Sequence, residues 1–565
     1  MGRTSQPFQI PATAQAILAG RIDRLSQEDK RLLQAASVIG KDVPFGLLQA
    51  IAGQEDQALR IGISHLQSAE YLYETRLFPE LEYTFKHALT HEVAYASLLH
   101  DRRRALHAQI VASVEQLYPD RLSEQTERLA HHALRGEVWE KALVYLRQAG
   151  LRAFARSANR EAIGYLEQAL IALTHLSETT DTTAQAIDIR FELRNCLFQL
   201  GELASILTYL DQAERLALKD DRRLGWVSAY TGHYFWWMGN STQARACTER
   251  AQKIAETAGD FSLQVASNLY HGFSLHTAGE YEAAAQVLRK VMQSLKGKLS
   301  LERFGQHAFP AVNARSHLVW TLAELGAFQE GITEGREGIR LGEQIDHVYS
   351  LVVMCWGLGS LYTIKGDYLD ALRQLDRALA LAHVSNLRGL IPMLTTASGY
   401  GHALAGHVAE GITQLRKGIA AMEHMHFTLF HSFALMNAGE ACMLSGRLEE
   451  ASSFAERALV LTRERGETGF EAWALRLLGE IAVHQEQPDS DKAETHFAEA
   501  KKLGTKLGMR PLIAHCHFGL GNFLRRTAKH GGADENLATA REMYRELDMQ
   551  TWLQRAETRS ETYAG

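Results

Sequence analysis

Proline is scarce in this chain, with 9 among 565 residues where about 5% is usual. None falls between Pro119 and Pro310. Proline breaks helix interiors and punctuates β-turns. Its scarcity therefore argues against a sandwich, a barrel or a collagen-like chain, and predicts an almost wholly helical protein. Cysteine is scarce too. Cys196, Cys247, Cys355, Cys442 and Cys516 are dispersed and odd in number, with neither a CxxC pair nor a disulfide framework, which points to a reducing cytoplasm. No long run of charge of one sign occurs. The net charge is −6 and the densest basic cluster is Arg102-Arg103-Arg104, so the basic stripe of a protein that lives on nucleic-acid phosphates is missing. No stretch of about 18 apolar residues exists to span a membrane. No apolar run follows the charge of MGRTSQPFQIP, as a signal peptide would require.

What the chain does have is apolar content, 46% of its residues, arranged in repeats. KGDYLDALRQLDRALAL (365–381), AGHVAEGITQLRKGIAA (405–421) and SGRLEEASSFAERALVL (445–461) share one frame. In each, a glycine is followed five residues later by Ala or Gly, and seven later by Ala or Gly again. The frame runs through Gly331, Ala371, Gly411, Ala451, Ala493 and Ala533, and less regularly upstream through Ala284, Ala244, Ile206 and Ala162. Small residues seven apart share one helix face and let a second helix approach closely. Another glycine, such as Gly359, Gly399 or Gly439, stands seven before each turn glycine. The unit is a first helix, a glycine turn, and a second helix with small residues facing the first.

This unit resembles the tetratricopeptide repeat, stretched to about 40 residues, over nine or ten units spanning 139–547. The resemblance implies a solenoid in which first helices line the concave face. It places groove positions at Trp226, His233, Trp236, Phe273, His276, Trp320, Trp356, Tyr400 and Phe433. An aromatic wall of modest charge suits a peptide or a partner helix better than nucleic acid. The alternative for each of these side chains is core packing.

Residues 27–118 read differently. QEDKRLLQAASVIG (27–40), VPFGLLQAIAG (43–53) and QEDQALRIGISHLQSAE (54–70) are three helices. YLYETR (71–76) and LEYTFKH (81–87) alternate as strands, joined at Leu77-Phe78-Pro79-Glu80. Three helices and a hairpin describe a winged helix, followed by further helix to residue 118 and a helical connector over 119–138. Its third helix carries Glu55, Asp56 and Glu70 against Arg60 alone as a permanent cation. A helix that reads a DNA groove needs cations for phosphates, so a wing that faces protein is the better reading than a transcriptional regulator.

The succession IPATAQAILAGRIDRL (10–25), LLQAASVIGKDVPFGLL, FPELEYTFKHALTHEVAYASLL, RALH, RLAHHALRG and GMRPLIAHCHFGLGNFLRRT (508–527) resembles the C-terminal half of bacterial signal-transduction ATPases with numerous domains, those that often follow an adenylate or guanylate cyclase domain. The resemblance implies that residues 1–26 are a remnant of the ATPase module and its linker, and that 548–565 are a C-terminal tail. It also implies that His87 contacts a nucleotide phosphate, reaching an ATPase module supplied in cis or in trans. The phosphate loop G-x-x-x-x-G-K-[ST] is not matched. Gly40-Lys41 is followed by Asp42, and Gly297-Lys298 by Leu299. The expectation is therefore a non-catalytic chain with no cofactor of its own, where ATP or ADP would bind only if that module is supplied. The alternative is part of a cyclase or ATPase enzyme whose catalytic domains lie upstream.

Other motifs carry no catalytic or metal expectation. His91-Glu92-Val93-Ala94-Tyr95 puts Tyr95 where a zincin needs its second imidazole. His515 and His517 lie two apart on a helix and diverge by about 200°. The histidines are read as polar groups at helix surfaces or interfaces, with no metal set among them.

Overall fold

A computed structural model of the chain describes residues 12–76, 80–485, 490–527 and 530–561. It forms two compact units, 1–193 and 194–565.

Unit 1 begins with α1 (Ala12–Asp23) and α2 (Gln27–Ile39). The Ser26 side chain starts α2 by accepting a 3.0 Å hydrogen bond from the Asp29 N–H, which satisfies one of the amides left free at a helix start. Next come β1 (Asp42–Pro44), α3 (Phe45–Ala52), α4 (Asp56–Ser68), β2 (Leu72–Arg76) and β3 (Glu82–Phe85). The strands form one antiparallel sheet in the order β1-β3-β2, with Val43 opposite Tyr83 and Tyr73 opposite Thr84. The expected hairpin is present as β2 and β3, although residues 77–79 of its turn lie outside the described residues. Strand β1 falls in a stretch read as helix from residue 43. Pro44 is the reason: its backbone is extended (φ −60°, ψ 132°) and caps α3, so the helix starts one residue beyond it. Leu33, Val43, Leu47, Leu48, Leu59 and Leu66 are fully buried between helices and sheet.

After the sheet come α5 (Ala88–Ala96), α6 (His100–Leu117), a 3-10 segment (Pro119–Gln125), α7 (Thr126–Arg135), α8 (Trp139–Ala155) and α9 (Asn159–Leu173). The boundary between units lies well beyond residue 139, where the repeats begin. The first repeat pair, α8 with α9, packs onto α7 and so belongs to unit 1.

Unit 2 is a superhelical array of antiparallel pairs. The division between the units falls within α10 (Thr180–Leu200), and the helix Leu203–Ala217 follows it. Then follow Asp221–Trp237 with Ser241–Ala258, Phe261–Thr277 with Tyr281–Ser294, Pro310–Leu325 with Phe328–Ile345, and Val348–Lys365 with Tyr368–Val384. Ile391–Leu404 with Val408–His424, His431–Leu444 with Leu448–Arg465, Thr468–His484 with Ser490–Leu507, and Arg510–Arg526 with His530–Glu546 complete the series. The segment expected as a tail continues as a helix, Gln550–Glu561. The 3-10 segment Gly297–Leu301 and the loop after it account for the longer spacing between Ala284 and Gly331.

The repeat frame has the expected structural meaning. Glycines between paired helices adopt left-handed backbone, from φ +63° at Gly239 to +101° at Gly406, which costs a residue with a Cβ dearly. Inside a pair, a Cβ on Gly359 would stand 2.7 Å from Leu375 and 3.4 Å from the Ala371 carbonyl oxygen. Ala371 itself is fully buried.

The array also closes on itself. The Leu429 N–H donates to the Trp237 carbonyl (3.2 Å), Thr468 Oγ1 to the Ala278 carbonyl (2.5 Å), and Thr551 Oγ1 to the Gly366 carbonyl (2.9 Å). Such partners lie 185 to 192 residues apart, about five units, so each turn of the superhelix rests on the one before. First helices are consequently buried on nearly every side. Val348–Lys365 alone among the described helices is long and apolar enough to cross a membrane, and 83% of that stretch is buried inside the protein.

Candidate functional site

The closure of unit 2 decides the fate of the expected aromatic groove. Trp236, Trp320, Trp356, Phe273, His233 and His276 are all buried, none more than 8% exposed. For these six the groove expectation gives way to core packing. The reason is geometric: the face that an open solenoid would leave concave meets the next superhelical turn. Trp320 packs against Trp356, Phe430 and Phe433 at ring separations of 4.9 to 5.7 Å. Phe273 stacks on His317 at 3.6 Å. Several polar tips find partners inside, whereas Trp356 Nε1 and His276 Nε2 do not. Trp236 Nε1 donates to Thr277 Oγ1 (2.8 Å), and His276 Nδ1 lies 2.9 Å from Thr321 Oγ1. His233 accepts from the buried Arg194 guanidinium and stacks on Tyr270 at 4.2 Å. Trp226 is half-buried beside Tyr230.

Tyr400 and Phe433 have a different surrounding. Both are half-buried and line a partly open chamber inside unit 2 with a cavity volume of about 50 Å³. Its centre is charged. Arg476 Nη2 lies 2.7 Å from Glu440 Oε2, and both side chains are at most 10% exposed. The Tyr400 hydroxyl donates to the same carboxylate oxygen at 3.0 Å. Burial works against the charge on Arg476, but Glu440, Glu480 and Tyr400 together offset it and the guanidinium is held more basic than usual. Glu324 accepts from Trp473 Nε1 at 2.8 Å, and burial lifts its carboxyl to about 7.

Several polar atoms on the chamber wall lack a partner. Asn437 is 1% exposed, yet neither its amide oxygen nor its amide nitrogen is hydrogen-bonded. Trp552 Nε1 and Arg476 Nε are likewise unpartnered, and all three residues line the same space. Each unpaired buried polar group costs about 1–3 kcal/mol, so this concentration marks a surface built to meet donors and acceptors from a ligand or from water. The groove expectation missed Asn437, Glu440 and Arg476. Their signal was available: MNAGEAC and LRLLGE set lone polar residues into otherwise apolar first helices.

In unit 1, His87 is exposed at the start of α5, where its side chain makes no capping bond. On α4, Arg60 is tied to Asp56 (2.8 Å) and covers the Phe45 ring. As expected of ring directions on one helix, His515 turns inward to the Tyr544 hydroxyl (2.8 Å) and His517 to Asn536 Oδ1 (2.7 Å). One group among the described residues does bring metal-ligand atoms together: His107, His131 and His132.

We found no protein-family model and no curated protein that matches this chain. Solved structures do match in shape. The chain is similar to a Rap protein complexed with competence and sporulation factor, at 13% identity over 65% of this chain and 98% of that one, with a TM-score of 0.50. It is also similar to the Cut9–Hcn1 hetero-tetramer of the APC/C (14% identity, 83% and 89%, TM-score 0.47). A signal-transduction ATPase with a tetratricopeptide repeat sensor from Pyrococcus horikoshii matches at 11% identity over 87% of this chain and 65% of that one, with a TM-score of 0.33. At these identities the likeness is one of fold, that of a tetratricopeptide-like helical array.

Proposed function

We propose that the chain is a non-catalytic regulatory module that recognises a peptide or an extended protein segment in the chamber of unit 2. The observation that carries this reading is the unpartnered Asn437 amide facing a half-open space beside Glu440, Arg476 and Tyr368. A peptide backbone offers alternating donors and acceptors that such an amide pairs with, and the aromatic walls supply apolar contact. The Rap protein similar in fold to this chain is complexed with a competence and sporulation factor, which lends the reading support by analogy of fold alone.

Unit 1 fits the role of coupling element. Its helices and three-stranded sheet are read as a protein-facing winged helix that engages a signalling ATPase or cyclase module, with exposed His87 as its nucleotide contact. ATP or ADP enters only through that module. A DNA-reading role is disfavoured, because the single permanent cation of α4 is neutralised by Asp56. The five free cysteines suit a cytoplasmic setting.

The test is selection of binders from a random peptide library on the full chain. Peptides that bind in the chamber should lose tenfold or more in affinity toward Asn437→Ala and toward Tyr368→Phe. Peptides that bind these variants and the original chain equally would contradict the assignment.

A further inference from the structure

Helices α6 and α7 of unit 1 bring three imidazoles into one cluster. The ligating nitrogens of His107, His131 and His132 all lie within 4.8 Å of one another, His107 and His132 buried and His131 exposed. His107 Nδ1 and His132 Nδ1 face each other at 2.8 Å. The remaining nitrogen of each buried ring has its own partner. His107 Nε2 lies 3.0 Å from the Tyr95 hydroxyl. The backbone partner of His132 is the Ile39 carbonyl, and since Nδ1 is engaged with His107, that bond falls to Nε2.

We propose that His107, His131 and His132 bind a divalent transition-metal ion of the class that favours imidazole, with zinc(II) as the reference ion. Two features of the arrangement support this. Metal-bound histidines typically donate their outer N–H to a carbonyl or another fixed acceptor, which sets the ring and its tautomer. Ile39 and Tyr95 stand where those acceptors are needed. The distance between the two buried Nδ1 atoms also fits. Zinc–nitrogen bonds of about 2.0–2.1 Å in tetrahedral geometry hold two nitrogens about 3.3 Å apart, so the Nδ1 pair needs to open by about half an ångström. Without metal, one Nδ1 must donate to the other. On binding, the proton on His107 Nδ1 moves to Nε2 and the Tyr95 hydroxyl turns from donor to acceptor, so no proton leaves the site. Arg103, Arg128 and Arg135 lie near the cluster. They disfavour a bare dication and assign the fourth position to an anion such as hydroxide or chloride.

The test is zinc titration of the untagged full chain in competition with a chromophoric chelator, with cobalt(II) as a spectroscopic substitute. The proposal expects one zinc per chain and a visible cobalt band of tetrahedral type. It also expects a zinc-dependent rise in melting temperature that His131→Ala removes, with affinity lowered tenfold or more. His131 is exposed, so this variant leaves the fold intact, whereas His132→Ala disturbs the core. Absence of stoichiometric zinc, or equal binding by His131→Ala and the original chain, overturns the proposal.

Discussion

Glu440 and Arg476 show how much a single residue can decide inside a closed array. Removing one partner of a buried pair strands the other charge and costs about 3–5 kcal/mol, while apolar replacement of both is often neutral or stabilising. Glu440→Gln should therefore lower unfolding free energy by roughly that amount, and the double variant Glu440→Leu, Arg476→Met should recover most of it in denaturant titrations. Buried histidines set the pH response. Burial lowers His276 to about 3, His317 to about 4 and His347 to about 3. A base whose folded pKa lies below its unfolded value near 6.5 contributes stability that is complete above that pH and is lost as pH falls toward the folded value. Glu324 and Glu467, both lifted by burial to about 7, act in the opposite sense: their contribution is present below their unfolded value and is lost as pH rises through 7. Because the depressed groups outnumber the raised ones among these, thermal melts should show stability climbing from about pH 4 to about pH 6.5. A maximum at the acidic end would contradict the burial of these rings. Little of this was legible in the sequence. The polar residues of the chamber could be seen, but which of them converge depends on units five repeats apart.

Elements were far more legible. Glycine and alanine at fixed offsets marked the turns and the close faces, and the helices follow that frame through Gly331, Ala371, Gly411 and Ala451. The contact is tight enough to test. Ala371→Trp must force apart Val348–Lys365 and Tyr368–Val384, with a destabilisation of at least about 1–3 kcal/mol. A melt unchanged from the original chain would mean that Ala371 does not face Gly359. The short strand β1 was not legible, because three residues ending in a proline carry no alternation to count. The histidine cluster escaped for a related reason. His107 and His132 belong to different helices, and only the packing of α6 on α7 turns their Nδ1 atoms toward each other.

The whole molecule differs most from the sequence-based expectation, and the difference lies in unit 2. An open solenoid couples only neighbouring repeats, and deletion of one unit from it should change curvature and little else. Here Trp237, Ala278 and Gly366 each receive a hydrogen bond from a residue 185 to 192 positions later. Deleting residues 372–411 shifts that register by a full unit. The shortened chain should keep helical circular dichroism yet expose its tryptophans to a collisional quencher. Unchanged quenching would mean that the turns do not rest on one another. Pitch is the property that the repeat frame could not show: a period of about 40 residues is the same whether the superhelix is open or closed.

Closure turns a groove into a chamber, and the claim that this chamber receives a ligand rests most directly on Asn437. An amide with both ends unpaired contributes no internal hydrogen bond and bears the cost of desolvation. Asn437→Leu, close in volume and free of that cost, should therefore raise the unfolding free energy of the free protein by about 1 kcal/mol while abolishing the binding of chamber-selected peptides. The decisive measurement is the pair of values, stability and peptide affinity, on this one variant. Greater stability with binding lost is the predicted result. Lower stability with binding retained would show that Asn437 serves the fold and would contradict the account.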